Sequence, residues 1–319
     1  MDLTVMICTW NNSKQLGITL DAISRCTIPS DLKWELVLVN NNSTDNTADV
    51  AREFTTKLPL VCIHEREQGL SRARNAGLKA ASGRLIIFTD DDVKPVAGYI
   101  ESYWSAYQER PSGFYFGGPI ISEFEPGPPE EELLPLAPHS VRGLNWGPTP
   151  KLLAPSECFI GANWACPVEP LRKEGGFNVR IGLDSSARKV KVGEETDLMR
   201  RLGLNGLSPW YVPRAWLLHA VPARKCTLTH IAQRAQALAA AQVLFQRPEM
   251  ERGPMVAGVP RWMYRRALAL WLHWLKARAL GKKGYREYVD LRSMLGTMQG
   301  IRDLQSTLST EKSGLRTEL

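Results

Sequence analysis

The sequence has no long apolar run, no paired cysteines and no glycine-rich dinucleotide fingerprint. No apolar stretch reaches the ~18 residues of a membrane-spanning helix, so we expect none. The six cysteines are scattered without a C-x-x-C pair, which argues against a zinc ribbon or disulfide framework and favours a reducing compartment. No G-x-G-x-x-G follows a predicted strand, which disfavours a dehydrogenase. The N-terminus lacks a basic segment followed by a long apolar one, so we expect no signal peptide and a cytoplasmic location.

The composition is that of a globular protein whose charge is unevenly distributed. The 319 residues are 44% hydrophobic and 23% charged, which predicts a substantial core. The net charge is +7, and residues 261–286 hold eight Lys or Arg and no Asp or Glu. This asymmetry predicts that the C-terminal part contacts an anionic surface.

Strands and helices alternate at the start of the chain. We predict strands at Leu3–Thr9, Glu35–Val39, Leu60–Glu65 and Arg84–Thr89, and helices at Lys14–Ser24, from a Ser43–Asp45 cap to Thr56, and at Ser71–Ala81. Continuous apolar strands that alternate with helices predict an α/β fold with a mostly parallel central sheet, flanked by helices. In such sheets, ligands bind beyond the carboxyl ends of the strands.

Three consecutive acids, Asp90, Asp91 and Asp92, follow the fourth predicted strand. Clustered carboxylates repel one another, so a cation is needed to hold them together at low cost. Mg²⁺ and Mn²⁺ prefer carboxylate oxygens and often bridge them to substrate phosphates. Taken alone, the acids fit either a divalent-cation site or a solvated turn.

The second half of the chain changes character twice. Residues Glu123–Pro155 are rich in proline, which predicts irregular structure, either a surface loop or a lid near the site. After Lys225 the sequence becomes helical, and we predict helices at Leu228–Gln246 and Arg261–Leu280. Residues 226–319 are therefore expected to form a C-terminal helical region.

The second of these helices is basic and contains several tryptophans. Leu268, Trp271, Leu272 and Leu275 share one face, and Arg266 lies opposite. This pattern fits an interfacial membrane helix. It also fits a helix packed on the rest of the protein with a solvated basic face.

Six segments of the chain follow one another in an order that resembles a known family. They are VMICTWNN, ELVLVNNNSTDNT, GLSRARNAGLKAASGRLIIFTDDDV, FIGANWACPVEPLRKEGGF, VGEETDLMRRLG and WLLHAVPARKCT. Their order over residues 3–230 resembles the family 2 glycosyltransferases with the GT-A fold. The resemblance implies a catalytic domain at residues 1–225. The basic amphipathic helix predicts that the helical region at 226–319 is associated with a membrane.

The resemblance implies a donor site for a nucleotide diphosphate sugar. The residues at the corresponding positions are Thr9, Asn11, Asn41, Arg74, Asp90 and Asn163. Asn41 stands where the family commonly has Asp and would meet the base, which leaves the base open among UDP-, dTDP- and GDP-linked donors. Asp91 receives no role.

The resemblance also implies a metal and a base. Asp92 and His219 correspond to the metal-site positions, with Mg²⁺ or Mn²⁺ as the cofactor, and His219 is predicted to follow a strand at Ala215–Leu218. Glu195 stands at the position of the general base, since a sugar hydroxyl must lose its proton as it attacks. Glu194 and Asp197 are expected to contact the acceptor or to play a secondary role.

Together these features predict a metal-dependent, inverting glycosyltransferase of cell-surface glycan assembly. The acceptor is expected to be a saccharide or a lipid-linked sugar at the inner face of the cell membrane, with an anionic membrane surface as a partner and no nucleic acid. A nucleotidylyltransferase is disfavoured, because TWNNSK replaces the Gly-rich turn of that class. A non-enzymatic basic module that binds membrane or nucleic acid on the same scaffold is the alternative, although it leaves the acidic motifs unexplained.

Overall fold

The computed structural model describes residues 1–181, 192–246 and 254–314, and their contacts divide the chain into two units. In the described part, the first unit holds residues 1–124, 142–181 and 193–221. The second holds residues 125–141, Val192, and residues 222–246 and 254–314. The division after Val221 lies close to the boundary predicted after residue 225. The proline-rich segment 125–141 groups with the helical region rather than with its neighbours in sequence.

The first unit is built around two sheets and their covering helices. The strands are β1 Leu3–Thr9, β2 Trp34–Asn40, β3 Leu60–His64, β4 Leu85–Asp90, β5 Val93–Pro95, β6 Phe114–Gly117, β7 Ile120–Glu125, β8 Lys151–Leu152, β9 Asn163–Pro167, β10 Ser208–Tyr211 and β11 Leu217–Pro222. The helices up to residue 204 are α1 Ser13–Ser24, α2 Thr47–Glu53, α3 Leu70–Ala80, α4 Tyr99–Glu109, α5 His139–Arg142, α6 Val168–Lys173 and α7 Glu194–Leu204. All but the first three residues of α5 belong to the first unit.

The large sheet has the order β3-β2-β1-β4-β9-β6-β10-β8, and a small one has the order β5-β11-β7. Strands β3, β2, β1 and β4 are parallel neighbours, as are β6 and β10. Strand β9 runs antiparallel to both β4 and β6, and β8 runs antiparallel to β10. The predicted α/β fold with a large central sheet flanked by helices is confirmed, although the sheet is more mixed than predicted.

Strand β1 shows why the sheet has a core on each face. Its side chains alternate: Val5 and Ile7 belong to one apolar cluster, and Met6 belongs to the other. The second cluster includes Phe88, whose ring stacks on Trp164 at a centroid distance of 4.4 Å. A strand buried on both faces needs a continuous apolar sequence, and that pattern predicted β1.

Two local predictions need correction. Helix α2 begins at Thr47 rather than directly after a Ser43–Asp45 cap, and the Asp45 carboxylate instead accepts bonds from the backbone N–H groups of Thr47 and Ser13, at 3.1 and 3.0 Å. His219 lies inside β11, whereas the sequence predicted a strand that ended before it. The bonds to β5 extend this strand, because His219 pairs with Val93.

In the second unit the structure describes a short hairpin and three long helices, α8 Leu228–Gln246, α9 Arg261–Ala279 and α10 Tyr285–Gly314. The hairpin strands are β12 Met255–Val256 and β13 Val259–Pro260. The predicted helices at 228–246 and 261–280 are confirmed to within one residue. Helices α8 and α10 approach closely, since a Cβ at Gly296 would lie 2.1 Å from the carbonyl oxygen of Gln236. Among the described residues, no helix has the length and apolar character needed to cross a membrane.

Candidate active site

The carboxyl ends of the parallel strands bring the predicted polar segments together. Thr9, the last residue of β1, is in register with Asn40 of β2. On the other side of β1, Cys8 is in register with Asp90 of β4. The acidic run therefore begins beside the end of β1. Strand β1 separates it from the asparagines that end β2. Because the strands are parallel, these turns open at the same edge of the sheet.

Asp91, which the sequence left without a role, anchors the acidic run to the body of the domain. Its carboxylate accepts a bond from Thr9 Oγ1 at 2.6 Å and another from Asn12 Nδ2 at 2.8 Å. Its backbone carbonyl accepts from Thr19 Oγ1 at 2.9 Å. Burial, followed by the charge of Asp92, raises the pKa of Asp91 to about 7. Thr9 is thus engaged with Asp91, and its contact with a donor stays a prediction.

Arg74 of α3 is buried and lies at the centre of an ion network. Its Nη1 is 2.7 Å from Glu194 Oε1 and 4.0 Å from Glu195 Oε2. Its Nη2 is 3.6 Å from Asp90 Oδ1. We call these four residues the strand-end cluster. One guanidinium therefore joins the acidic run after β4 to the first turn of α7, which is far away in sequence.

The electrostatics of the strand-end cluster follow from its burial. Burial alone would lower the pKa of Arg74, but the carboxylates of Glu194, Asp90 and Glu195 outweigh it and leave the pKa raised. Burial raises the pKa of Glu195, and the negative charge of Glu194 raises it further, while Arg74 opposes both. Once it has lost its proton, a carboxylate with a raised pKa is a stronger base than an ordinary carboxylate, which suits proton removal from a hydroxyl.

Two glycines make this geometry possible. A Cβ at Gly161 would lie 2.6 Å from Nη2 of Arg74, so the small residue leaves room for the guanidinium. Gly193 has a φ of 97°, a left-handed conformation that suits glycine, and it starts α7 directly before Glu194. The ring of Phe177 lies under the guanidinium at 5.4 Å, which adds a cation–π contact.

Asp92 and His219 place a carboxylate oxygen and an imidazole nitrogen beside each other. His219 is buried on β11, and its Nε2 lies 3.4 Å from Asp92 Oδ1. The other ring nitrogen, Nδ1, is buried without a hydrogen-bond partner. Two ligand atoms that each lie about 2.0–2.2 Å from one cation are separated from each other by roughly the 3.4 Å seen here. The pair therefore fits a shared divalent ion. Within the described residues, no group of three His, Cys, Asp or Glu side chains is placed to hold a metal alone.

The two predicted asparagines of the first turns organise loops. Asn11, with a φ of 48°, accepts a bond from the Thr44 backbone N–H at 2.7 Å through Oδ1. Asn41 is buried, and its Nδ2 donates to the carbonyls of Glu65 and Glu67 at 3.1 and 2.8 Å. These bonds hold the loops beside the sheet edge, and direct contact of either residue with a nucleotide stays a prediction.

Asn163 is fully buried within β9. Its Oδ1 accepts from Tyr103 Oη at 2.6 Å, and its Nδ2 donates to the carbonyls of Pro119 and Ala215 at 2.9 and 2.8 Å. Both ends of the amide are thus engaged inside the protein. Asn163 therefore joins β9 to the segments at Pro119 and Ala215. Its predicted contact with a sugar hydroxyl stays a prediction.

Asp197 points along α7 rather than joining the strand-end cluster contacts described above. Its Oδ2 accepts from Arg201 Nε at 3.0 Å, one helical turn later. Arg201 also donates to the carbonyls of Glu174 and Gly176, each at 2.7 Å. Asp197 therefore steadies the turn after α6, and a secondary role at the acceptor stays a prediction.

A cavity of about 730 Å³ lies along the edge strand β3 and helix α3. Its lining includes His64, Glu65, Arg72 and Lys79, and none of the predicted site residues is among the side chains that line it. Asn41 contacts the wall of the cavity through the backbone carbonyls of Glu65 and Glu67. The connected charges, rather than this cavity, therefore define the candidate site.

One family model matches the N-terminal part of the chain. The model of the family described as "Glycosyl transferase family 2" matches residues 4–159. That segment contains β1 to β4 and the acidic run, whereas Glu195 and His219 lie beyond it. This match covers 156 of the 319 residues, just under half of the chain, so the matched segment is similar to the family 2 glycosyltransferases. The fold is the GT-A fold.

Individual relatives match the chain over shorter stretches. It is 32% identical over 101 residues to glycosyltransferase AglE of Haloferax volcanii, which covers 31% of this chain and 33% of the relative. It is 27% identical over 115 residues to an Escherichia coli protein, UDP-Glc:alpha-D-GlcNAc-diphosphoundecaprenol beta-1,3-glucosyltransferase WfgD, covering 36% of this chain and 44% of that one. The matches therefore span less than half the length of these relatives.

A solved structure matches nearly the whole chain. The mannosyltransferase PcManGT from Pyrobaculum calidifontis, in complex with GDP-Man and Mn²⁺, superposes with a TM-score of 0.61 at 20% identity. The superposition covers 94% of this chain and 86% of that protein. At this level of identity, the likeness establishes the fold.

Proposed function

We propose that this protein is an inverting, metal-dependent glycosyltransferase that moves a sugar from a nucleoside diphosphate sugar to an acceptor hydroxyl. The observation that carries the proposal is the strand-end cluster. Arg74 lies between Asp90, at the donor end of the sheet, and Glu194 and Glu195, at the start of α7. A donor-binding edge and a candidate base thus share one connected set of charges.

Glu195 is the base in this proposal. Its carboxylate takes the proton from the acceptor hydroxyl as the oxygen attacks the anomeric carbon, and the nucleoside diphosphate leaves from the opposite face. One displacement inverts the anomeric configuration. The raised pKa of Glu195 supports the role, because a stronger base removes the hydroxyl proton more readily. Glu194 forms an ion pair with Arg74 and contacts the acceptor in this proposal.

Asp92 and His219 would hold the divalent cation. A bound Mn²⁺ or Mg²⁺ stabilises negative charge on a departing diphosphate. Imidazole is a common transition-metal ligand, whereas Mg²⁺ prefers oxygen, so the mixed pair supports Mn²⁺ over Mg²⁺. The remaining ligand positions suit phosphate oxygens and water.

The donor and acceptor are proposed more broadly. UDP-, dTDP- and GDP-linked sugars all remain candidates. The name of WfgD contains UDP-Glc, and the structure of PcManGT is a complex with GDP-Man. A lipid-linked or polysaccharide acceptor of cell-surface glycan assembly, met at the inner face of the membrane, is supported by WfgD, whose name contains a diphosphoundecaprenol acceptor. The exposed basic residues of α9 support an anionic membrane as a partner.

Metal-dependent nucleotide binding tests the proposal without an acceptor. Calorimetry and thermal unfolding are measured with UDP, dTDP, GDP and CMP, each with Mn²⁺, Mg²⁺ or a chelator. We expect one nucleoside diphosphate to stabilise the protein with Mn²⁺ and to lose that effect in Asp92→Asn. Asp31→Asn, an exposed acid before β2, is the matched control and should bind as the wild type does.

Donor hydrolysis and transfer to a lipid-linked acceptor then distinguish an enzyme from a binding module. Product anomers that retain the donor configuration would contradict the inverting mechanism. Failure of every nucleotide to bind, with or without metal, would favour the non-enzymatic alternative.

A further inference from the structure

Helix α9 packs against its own unit through one apolar stripe. Met263, Leu270 and Ala277 recur every seven residues, and all three are buried. Met263 shares an apolar cluster with Val243 of α8 and Met298 of α10. We call these three residues of α9 the packing stripe, since it supplies the contacts that hold the helix in place.

A second apolar stripe on the same helix is left open. Its members follow the spacing i, i+3, i+4 and i+7, and they are Leu268, Trp271, Leu272 and Leu275, with exposed fractions of 56%, 43%, 50% and 39%. At about 100° per residue, this open stripe is turned well away from the packing stripe. An ordinary soluble helix buries its best apolar face, whereas α9 leaves this one in solvent.

The β12–β13 hairpin extends the open stripe at the N-terminal end of α9. Met255 and Val256 are 42% and 48% exposed. The carbonyl of Val256 accepts a bond from Tyr264 Oη at 3.1 Å, which places the hairpin beside the first turn of the helix. Tyr264 precedes Leu268 by one turn. The open stripe with Met255 and Val256 forms what we call the open surface.

Positive charge surrounds the open surface. Arg265 and Lys276 are exposed and border the open stripe, and helix α9 contains no Asp or Glu. Arg261 and Arg278 add charge near its two ends. Two copies of this chain joined through the surface would bring like charges together, which is unfavourable. An anionic bilayer suits both the apolar surface and the positive charge around it. Apolar side chains enter the acyl boundary, and Lys and Arg bind the headgroups.

We infer that the open surface is a membrane-docking surface, on which α9 lies in the plane of an anionic bilayer. The helix is about 28 Å long, and a helix lying flat brings the whole open stripe to the lipid at once. The inference deepens the membrane part of the proposed function and rests on it for its purpose. The binding itself can be measured without nucleotide, metal or acceptor.

Vesicle flotation of the full chain tests the inference. Vesicles of phosphatidylcholine with phosphatidylglycerol are compared with phosphatidylcholine alone. We expect Leu268→Ser/Leu272→Ser to lower partition into anionic vesicles by roughly tenfold or more, since two leucines no longer enter the apolar layer. Arg265→Gln/Lys276→Gln should lower it several-fold, and added salt should remove that difference.

Tryptophan offers a matched pair on the same helix. Trp271 is in the open stripe, whereas Trp262 is 52% exposed but lies off it. Trp271→Ser should weaken vesicle binding, and Trp262→Ser should weaken it less. Unchanged partition of Leu268→Ser/Leu272→Ser, with unchanged thermal unfolding, would overturn the inference. So would a vesicle-free dimer that this variant dissociates. Because no nucleotide is present, neither result bears on the proposed glycosyl transfer.

Discussion

The strand-end cluster and the open surface place charge and apolar surface in opposite ways. In the first, the Arg74 side chain is 4% exposed and is surrounded by carboxylates. In the second, Leu268 is 56% exposed while the charges beside it stay in water. Buried charge and exposed apolar surface are each unfavourable for a chain by itself.

The two regions differ in what depends on them. The charges of the strand-end cluster are paired, so removing one leaves another buried without its partner. The open stripe has no such dependence, because α9 is held by its packing stripe. Substitution in the cluster should therefore affect both chemistry and folding, whereas substitution on the open stripe should affect only binding. The expectations below test that contrast.

The largest effect is expected from Glu195→Gln. The substitution keeps the shape of the side chain and removes the base, so transfer should fall by about 10²–10⁴-fold in kcat. Nucleoside diphosphate affinity should stay close to that of the wild type, as measured by calorimetry. Glu169→Gln changes an exposed glutamate in the first turn of α6 and should leave transfer unchanged. Lost binding with unchanged turnover of the bound donor would refute the role of Glu195.

Arg74→Met should destabilise the first unit by about 3–5 kcal/mol, because Glu194 stays buried without its ion partner. Arg72→Met is the control on the same helix, since Arg72 is 42% exposed in its pair with Glu67 and should change stability by under about 1 kcal/mol. Urea unfolding of both variants measures the difference. Equal losses would mean that the cluster contributes no more than a surface ion pair does.

The two stripes of α9 are compared by substituting neighbouring leucines. Leu270→Ala opens a cavity in the packing stripe and should cost about 2–5 kcal/mol. Leu272→Ala lies in the open stripe and should stay within about 0.5 kcal/mol of the wild type. Thermal and urea unfolding measure both. Comparable destabilisation would show that the open stripe is covered within the folded chain, which would remove the basis for membrane docking.

The smallest effect is a shift in the pH profile of transfer. Because burial and the Glu194 charge raise the pKa of Glu195, activity should rise with pH above the ordinary carboxyl range, as the base loses its proton. Glu194→Gln removes one negative charge, so the acid limb of kcat should move to lower pH by on the order of one unit. Asp197→Asn, in the same helical turn, should leave the limb in place. If the acid limb of Glu194→Gln stays in place, the charge of Glu194 does not set the pKa of the catalytic base.

Local pattern was sufficient to predict much of the fold. The strands β1 to β4 and the helices α8 and α9 follow from apolar periodicity, which depends on neighbours a few residues apart. The acidic run at the end of β4 was also predictable, because its three members are consecutive in sequence. The sheet order beyond β4 was not, because β9 pairs antiparallel with β4 across a long sequence separation.

The sequence by itself determined the strands β1 to β4, which acids cluster and where the basic helix lies. Only the tertiary structure decided their partners. It engaged Asp91 with Thr9, joined Arg74 to Glu194, and buried Asn163 among backbone carbonyls. It also selected the packing stripe of α9 and left the stripe with the clearer sequence pattern in solvent. Partner choice depends on which surfaces meet when distant segments pack, and local periodicity carries no information about that meeting.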